Sequence, residues 1–157
     1  MRTNLGLADL GDLLDLPIIA VLATNRADGT VMLSPVWFEW DGEAVVVWTS
    51  GPNEGKVRHL ARDPRATVVI AEQDRPYRGL EVTGRAELTS DGFDAAIRRI
   101  SARYVGPEAA DGLADGALEP GILVRVIPDR LRAWDFLDDW GSPPSASAGS
   151  STSASAG

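Results

Sequence analysis

Short apolar runs separated by turn residues dominate the chain, a rhythm that reads as strands in hairpin order. Residues 18–24 form such a run and predict a buried strand. Asp28-Gly29 is a hairpin signal, and residues 31–40 are the return strand. Pro35 within it must lie at an edge, at a bulge, or where the backbone faces a ligand. Asp41-Gly42 makes the next turn before a β-branched run at 44–49. Further strands are predicted at 66–71, 80–88, 122–127 and 131–136.

Helical spacing interrupts this pattern in three places. Leu7, Leu10, Leu13 and Leu14 alternate with Asp9, Asp12 and Asp15, predicting an amphipathic N-terminal helix that ends at Pro17 and covers an opening or edge of the sheet. Val57, Leu60 and Ala61 fall on one face of a short helix that stops at Asp63-Pro64. Phe93, Ala96, Ile97, Ile100 and Tyr104 mark a third helix, with Ser90 or Asp91 as N-cap and Val105-Gly106-Pro107 as its stop. Residues 108–120 read as a loop, with or without a helical turn. Six or seven antiparallel strands with peripheral helices make a mainly β fold of the barrel type.

Length supports one domain, at 1–140, in a chain of 157 residues. From Gly141 onward only Gly, Ser, Pro, Ala and Thr remain, so 141–157 is expected to be a disordered tail. The absence of cysteine excludes disulfides, thiolate metal sites and cysteine nucleophiles. A single histidine, His59, argues against a histidine-rich metal site, and no metal is expected. A net charge of −8 disfavours nucleic acid as a partner. No apolar run approaches the ~20 residues of a membrane span, and no secretory leader opens the chain. The expectation is a cytoplasmic protein that engages neither nucleic acid nor membrane.

Candidate chemistry concentrates in residues 49–65. A strand ends at Thr49-Ser50, Gly51, Pro52 and Gly55 break the chain, and a helix opens at Lys56. Free N–H groups at a helix start attract anions, and Lys56 adds a charged donor beside them. Arg58 and Arg62 lie four apart and can share a face. On residues alone, an anion site and a merely solvated basic face both remain open.

The stretch Lys56-Val57-Arg58-His59-Leu60-Ala61-Arg62-Asp63-Pro64-Arg65-Ala66 resembles the K-x-R-N-L-x-x-D-P-R-A signature of the FMN-binding split-barrel superfamily, which includes pyridoxamine 5′-phosphate oxidase-like proteins and the actinobacterial flavin/deazaflavin oxidoreductases. Asp28-Gly29-Thr30, residues 34–38 and residues 75–86 match as well, so the resemblance spans roughly 15–136. It implies a split barrel that works as a homodimer, with each cofactor in a groove between subunits. The Asp28–Thr30, Ser34–Phe38 and Arg75–Arg78 stretches look closest to the branch using coenzyme F-420.

The resemblance assigns Lys56 to the cofactor phosphate, with Arg58 nearby, and Thr49 and Ser50 as hydroxyl donors to phosphate or ribityl oxygens. Ser34, Pro35, Val36 and Trp37 match the strand beside the ring system; an edge bulge without ligand is the other reading of Ser34-Pro35. Tyr77 and Arg78 match positions that reach the cofactor, often from the partner subunit, or else form a polar hairpin tip. Among the tryptophans, Trp37 and Trp134 are expected at the subunit interface, with Trp140 also available to it, and Trp48 in the core. Glu54 and Gly55 stand where some relatives carry arginine, and His59 replaces a commoner asparagine. The implied activity is an F-420-dependent hydride transfer to a small organic substrate, with no catalytic residue singled out. The alternatives are an FMN-dependent enzyme and a non-catalytic flavin- or haem-binding module. A proton for the substrate could come from water, Tyr77 or Tyr104.

Overall fold

The computed structural model describes residues 1–117 and 121–139; expectations for Trp140 and the tail fall outside them. Eight antiparallel strands form one sheet: β1 (Arg2–Leu5), β2 (Ala20–Asn25), β3 (Val31–Val36), β4 (Glu39–Trp40), β5 (Val45–Thr49), β6 (Arg65–Ala71), β7 (Gly79–Thr89) and β8 (Ile122–Asp135). Their spatial order is β3-β2-β6-β7-β8-β5-β4, with β1 also paired to β8. Three helices accompany them: α1 (Gly55–Arg62), α2 (Phe93–Val105) and α3 (Pro107–Asp115). The mainly β, split-barrel expectation holds. No helix among the described residues is long and apolar enough to cross a membrane.

Strand alternation places Leu22, Val68, Ile70, Leu80, Val82, Val124 and Val126 inside the barrel, all fully buried or nearly so. Each such side chain contributes roughly 1.5–3 kcal/mol relative to exposure. A second apolar cluster lies outside the barrel wall, where Phe93, Ala96, Ile97 and Ile100 of α2 meet Val46 and Leu123. The outward face of the barrel at β3 stays apolar and open: Val31 is 50% and Leu33 65% exposed.

Several local expectations need correction. The N-terminal leucines form two 3-10 turns, Leu7–Leu10 and Leu13–Asp15, instead of one helix. Gly11 between them, at φ 58°, turns the chain so that Leu10 and Leu13 both plug the barrel. β1 precedes them and was not foreseen; apart from Leu5, which packs against the core, its residues are polar, and it pairs through backbone and through Arg2, which donates to Asp135. The strand expected over 31–40 breaks at Trp37-Phe38. There the Phe38 N–H donates to the Tyr104 hydroxyl at 3.1 Å, and the Phe38 carbonyl accepts from Arg103 at 2.9 Å.

The two last strands are one, β8, with Asp129 bulged out where pairing shifts from Thr83–Arg130 to Gly84–Pro128. Gly84 permits this crossing, since a Cβ there would lie 1.9 Å from the Ile127 carbonyl oxygen. Residues 107–115 are the helix α3, opened by Pro107 at its first position and packed through Ala110 and Ala114. Gly92, not Ser90 or Asp91, precedes α2, and no side chain caps it.

Arg103 and Tyr104 at the end of α2 tie the barrel mouth together. The Arg103 guanidinium donates to the carbonyls of Leu14, Leu16 and Phe38 at 2.8–3.0 Å. The Tyr104 hydroxyl donates to the Ile18 carbonyl at 2.9 Å while accepting from Phe38. Its ring stacks on Trp37 at 4.8 Å, the planes 4° apart.

Candidate functional site

A cleft of about 490 Å³ opens where β5 hands over to α1. One wall is β3 and the residue after it: Pro35, Val36 and Trp37. The other is β5 and its continuation: Trp48, Thr49 and Ser50. Lys56 and Glu54 close one end; Ile19 and Leu113 complete the lining. A second cavity of about 530 Å³ adjoins it beneath α2 and α3, sharing Trp48, Ser50 and Leu113. Gly51, at φ 151°, lets the chain leave β5 sharply enough to present Ser50 and the start of α1 on the same side.

The charged end is built on three groups. The Glu54 carboxylate accepts the backbone N–H of Ser50 through one oxygen and the Lys56 ammonium through the other. Burial pushes the Glu54 carboxyl up, but the hydrogen bonds from Lys56 and Ser50, with the lysine's charge, outweigh it and hold it below its usual range. The Lys56 side chain is only 16% exposed and Glu54 28%. Gly55 between them packs near the Met32 sulfur. At the other end of α1, the His59 Nδ1 lies 3.0 Å from the Thr24 hydroxyl. Burial and then the nearby Arg62, Arg26 and Arg58 hold His59 below its ordinary pKa.

The expected residues divide clearly. Pro35, Val36, Trp37, Thr49, Ser50 and Lys56 meet in the cleft. Ser34 is buried beside it, and its hydroxyl has no protein partner. Thr49 is present, but its hydroxyl donates to the Ile122 carbonyl at 2.8 Å, so it fixes β5 to β8 instead of serving as a free donor. Arg58 is exposed and does not line the cleft; its backbone N–H makes the first bond of α1, to the Glu54 carbonyl.

Tyr77 and Arg78 do not line the cleft of their own chain. Arg78 donates twice to Glu72, at 3.0 and 2.7 Å, and also to Asp12 and the Leu10 carbonyl. Its guanidinium is thereby held above its ordinary pKa, by Glu72 first and Asp12 second. Tyr77 meets Phe136 edge-on at 6.4 Å. Trp37, expected at an interface, is a cleft wall stacked on Tyr104, and Trp134 lies against Gly79 beneath Arg132. Trp48 is a cleft wall as well, half-buried, with its indole N–H unpartnered. Tyr104 is no proton donor candidate: its hydroxyl is fully engaged, and burial raises its pKa.

Sequence reasoning missed Ile19, Leu113 and the seating of Glu54. Leu113 had no signal, because α3 itself was unforeseen. Glu54 had one, a carboxylate where arginine was expected.

The donor set fits a phosphate-bearing flavin-type cofactor. Ser50 N–H and Lys56 already grip one anion, the Glu54 carboxylate, and Pro35, Val36, Trp37 and Trp48 offer apolar walls for a ring system. The Ser34 hydroxyl and the Trp48 N–H are buried beside those walls without a protein partner.

Solved structures share this architecture. A conserved hypothetical protein of Mycobacterium tuberculosis is 25% identical, with a TM-score of 0.74 over 94% of this chain and 95% of its own. An F-420 reductase is 30% identical, with a TM-score of 0.62 over 76% of this chain and 93% of its own. The haem storage protein of Vibrio cholerae shares the fold at 20% identity and a TM-score of 0.63, over 80% and 92% of the two chains. The family model described as pyridoxamine 5′-phosphate oxidase matches residues 9–135. With that match over most of its length and a split barrel around the cleft, the chain belongs to the pyridoxamine 5′-phosphate oxidase family.

Proposed function

We propose that the protein is an oxidoreductase that uses coenzyme F-420 to pass a hydride to a small organic substrate, working as a homodimer. The observation that supports this most is the cleft itself, with the donors Lys56 and Ser50 at one end, held by Glu54, and uncharged walls at Pro35–Trp37 and Trp48. The F-420 reductase similarity, at 30% identity, favours the deazaflavin over FMN. The bound coenzyme supplies the hydride chemistry. In this reading the chain's own residues bind and orient. Lys56 and the Ser50 N–H hold phosphate, β3 and Trp37 flank the ring, and Ser34 supports that strand from the buried side. Tyr77 serves the neighbouring subunit's groove, whereas Arg78 is retained by Glu72. The exposed Val31 and Leu33 face supports a second copy packing on β3.

Calorimetric titration with F-420 and FMN tests the cofactor. F-420 is expected to bind more tightly, and a clear preference for FMN would overturn the assignment. Lys56→Ala should weaken F-420 binding about ten- to a hundredfold through loss of a charge-assisted contact. Unchanged affinity would place the phosphate elsewhere.

A further inference from the structure

We infer that Glu54 is a specificity residue that selects against ligands ending in a phosphate monoester. This rests on the reading of Lys56 and Ser50 as the phosphate grip. The carboxylate occupies that grip from within the same loop, taking the Ser50 N–H on one oxygen and the Lys56 ammonium on the other. Carboxylate and phosphate oxygens recruit the same donors, so the two compete. Glu54 is well suited to compete. It lies two residues from Lys56, so its effective concentration at the site is high. Its acidity is enhanced, so at neutral pH it is charged.

The consequence depends on the charge of the incoming phosphate group. A phosphate monoester such as FMN carries about 1.5–2 negative charges at pH 7. A phosphodiester, the form in which F-420 carries its phosphate, has one. Either ligand must displace Glu54 or sit beside it. Beside it the repulsion grows with the charge on that phosphate, in a site only partly exposed to screening water. Lys56 alone offsets one charge, and that charge is already matched by Glu54. The site as built is therefore near neutral, tolerating a diester better than a monoester.

The test uses Glu54→Gln, which keeps the shape and removes the charge, with Glu54→Ala as a second variant. FMN, riboflavin and F-420 are titrated into the parent and both variants, with melting curves to confirm folding. Glu54 variants should bind FMN at least about tenfold more tightly. F-420 should gain less and riboflavin, lacking phosphate, nothing. The proposal is overturned if FMN affinity is unchanged or weaker, if riboflavin gains equally, or if no variant binds FMN. The Lys56→Ala titration separates the two levels. If Lys56→Ala weakens binding but Glu54→Gln changes nothing, only the role of Glu54 is lost. If Lys56→Ala is silent, the phosphate grip itself is wrong.

Discussion

Replacing Arg78 discriminates between a cofactor contact and a structural tie. Its guanidinium makes a two-pronged pair with Glu72, whose side chain is 9% exposed, and also bonds the Leu10 carbonyl at 2.8 Å. Asp12 is 66% exposed, so solvent screening leaves its pair with Arg78 little weight. Arg78→Met removes the pair and leaves a largely buried carboxylate with the backbone N–H of residue 78 but no cation. Breaking a buried pair costs about 3–5 kcal/mol, and partial exposure of Arg78 reduces this to about 2–4 kcal/mol. At about 2–4 °C per kcal/mol for a chain of this size, Tm should fall by about 4–16 °C. The loss should also depend on pH. Arg78 first, against burial, holds Glu72 below its ordinary value of 4.5. A depressed carboxyl stabilises fully above its unfolded pKa and loses that contribution as pH falls through the folded one. The gap between parent and variant should therefore be widest near neutrality and narrow below about pH 4.5. Differential scanning calorimetry from pH 3 to 8 measures it. A variant that melts like the parent but loses cofactor affinity would refute the structural assignment.

Gly79→Val should unfold or strongly destabilise the barrel, because a Cβ there would lie 2.1 Å from the Trp134 ring; thermal denaturation decides it. Tyr104→Phe strands the Phe38 N–H and Ile18 carbonyl at a cost of about 1–3 kcal/mol, read in urea melts, with an unchanged midpoint as the contrary result. Leu33→Lys should shift the protein toward monomer in sedimentation at micromolar concentration while preserving far-ultraviolet circular dichroism; a stable parent monomer would remove the basis for this. Truncation after Gly141 should leave Tm and cofactor affinity unchanged, and a drop in either would show that the tail docks.

Strands β2, β5, β6 and β7 were legible because alternation and Asp-Gly turns are local signals. The Lys56 loop was legible because the strand-to-helix handover and its signature are contiguous. What escaped depends on distant partners. β1 carries a single apolar residue, Leu5, and no alternation, and its pairing depends on a strand about 130 residues away. α3 buries only alanines, Ala110 and Ala114, too small to mark a face in the sequence. The break at Trp37-Phe38 is imposed by Arg103 and Tyr104, more than 60 residues later. Arg78 reads as a polar tip until the fold brings Asp12 and Leu10 beside it. The hydroxyl of Thr49 reads as a ligand donor until Ile122 is found to claim it.

β8 sets the order in which this protein can be made. It is the only strand that pairs with β1 among the described residues, and it also pairs with β5 and β7. All three must wait for the last strand to emerge during synthesis. Joining Arg2 to Asp135 closes nearly the whole described chain into a loop, and such high contact order slows folding. Until then β7 and β5 present unpaired edges, templates for pairing with other chains. A nascent chain stalled before residue 122 is thus a substrate for chaperones and proteases, whereas one from which all fourteen residues of β8 have emerged can close its barrel.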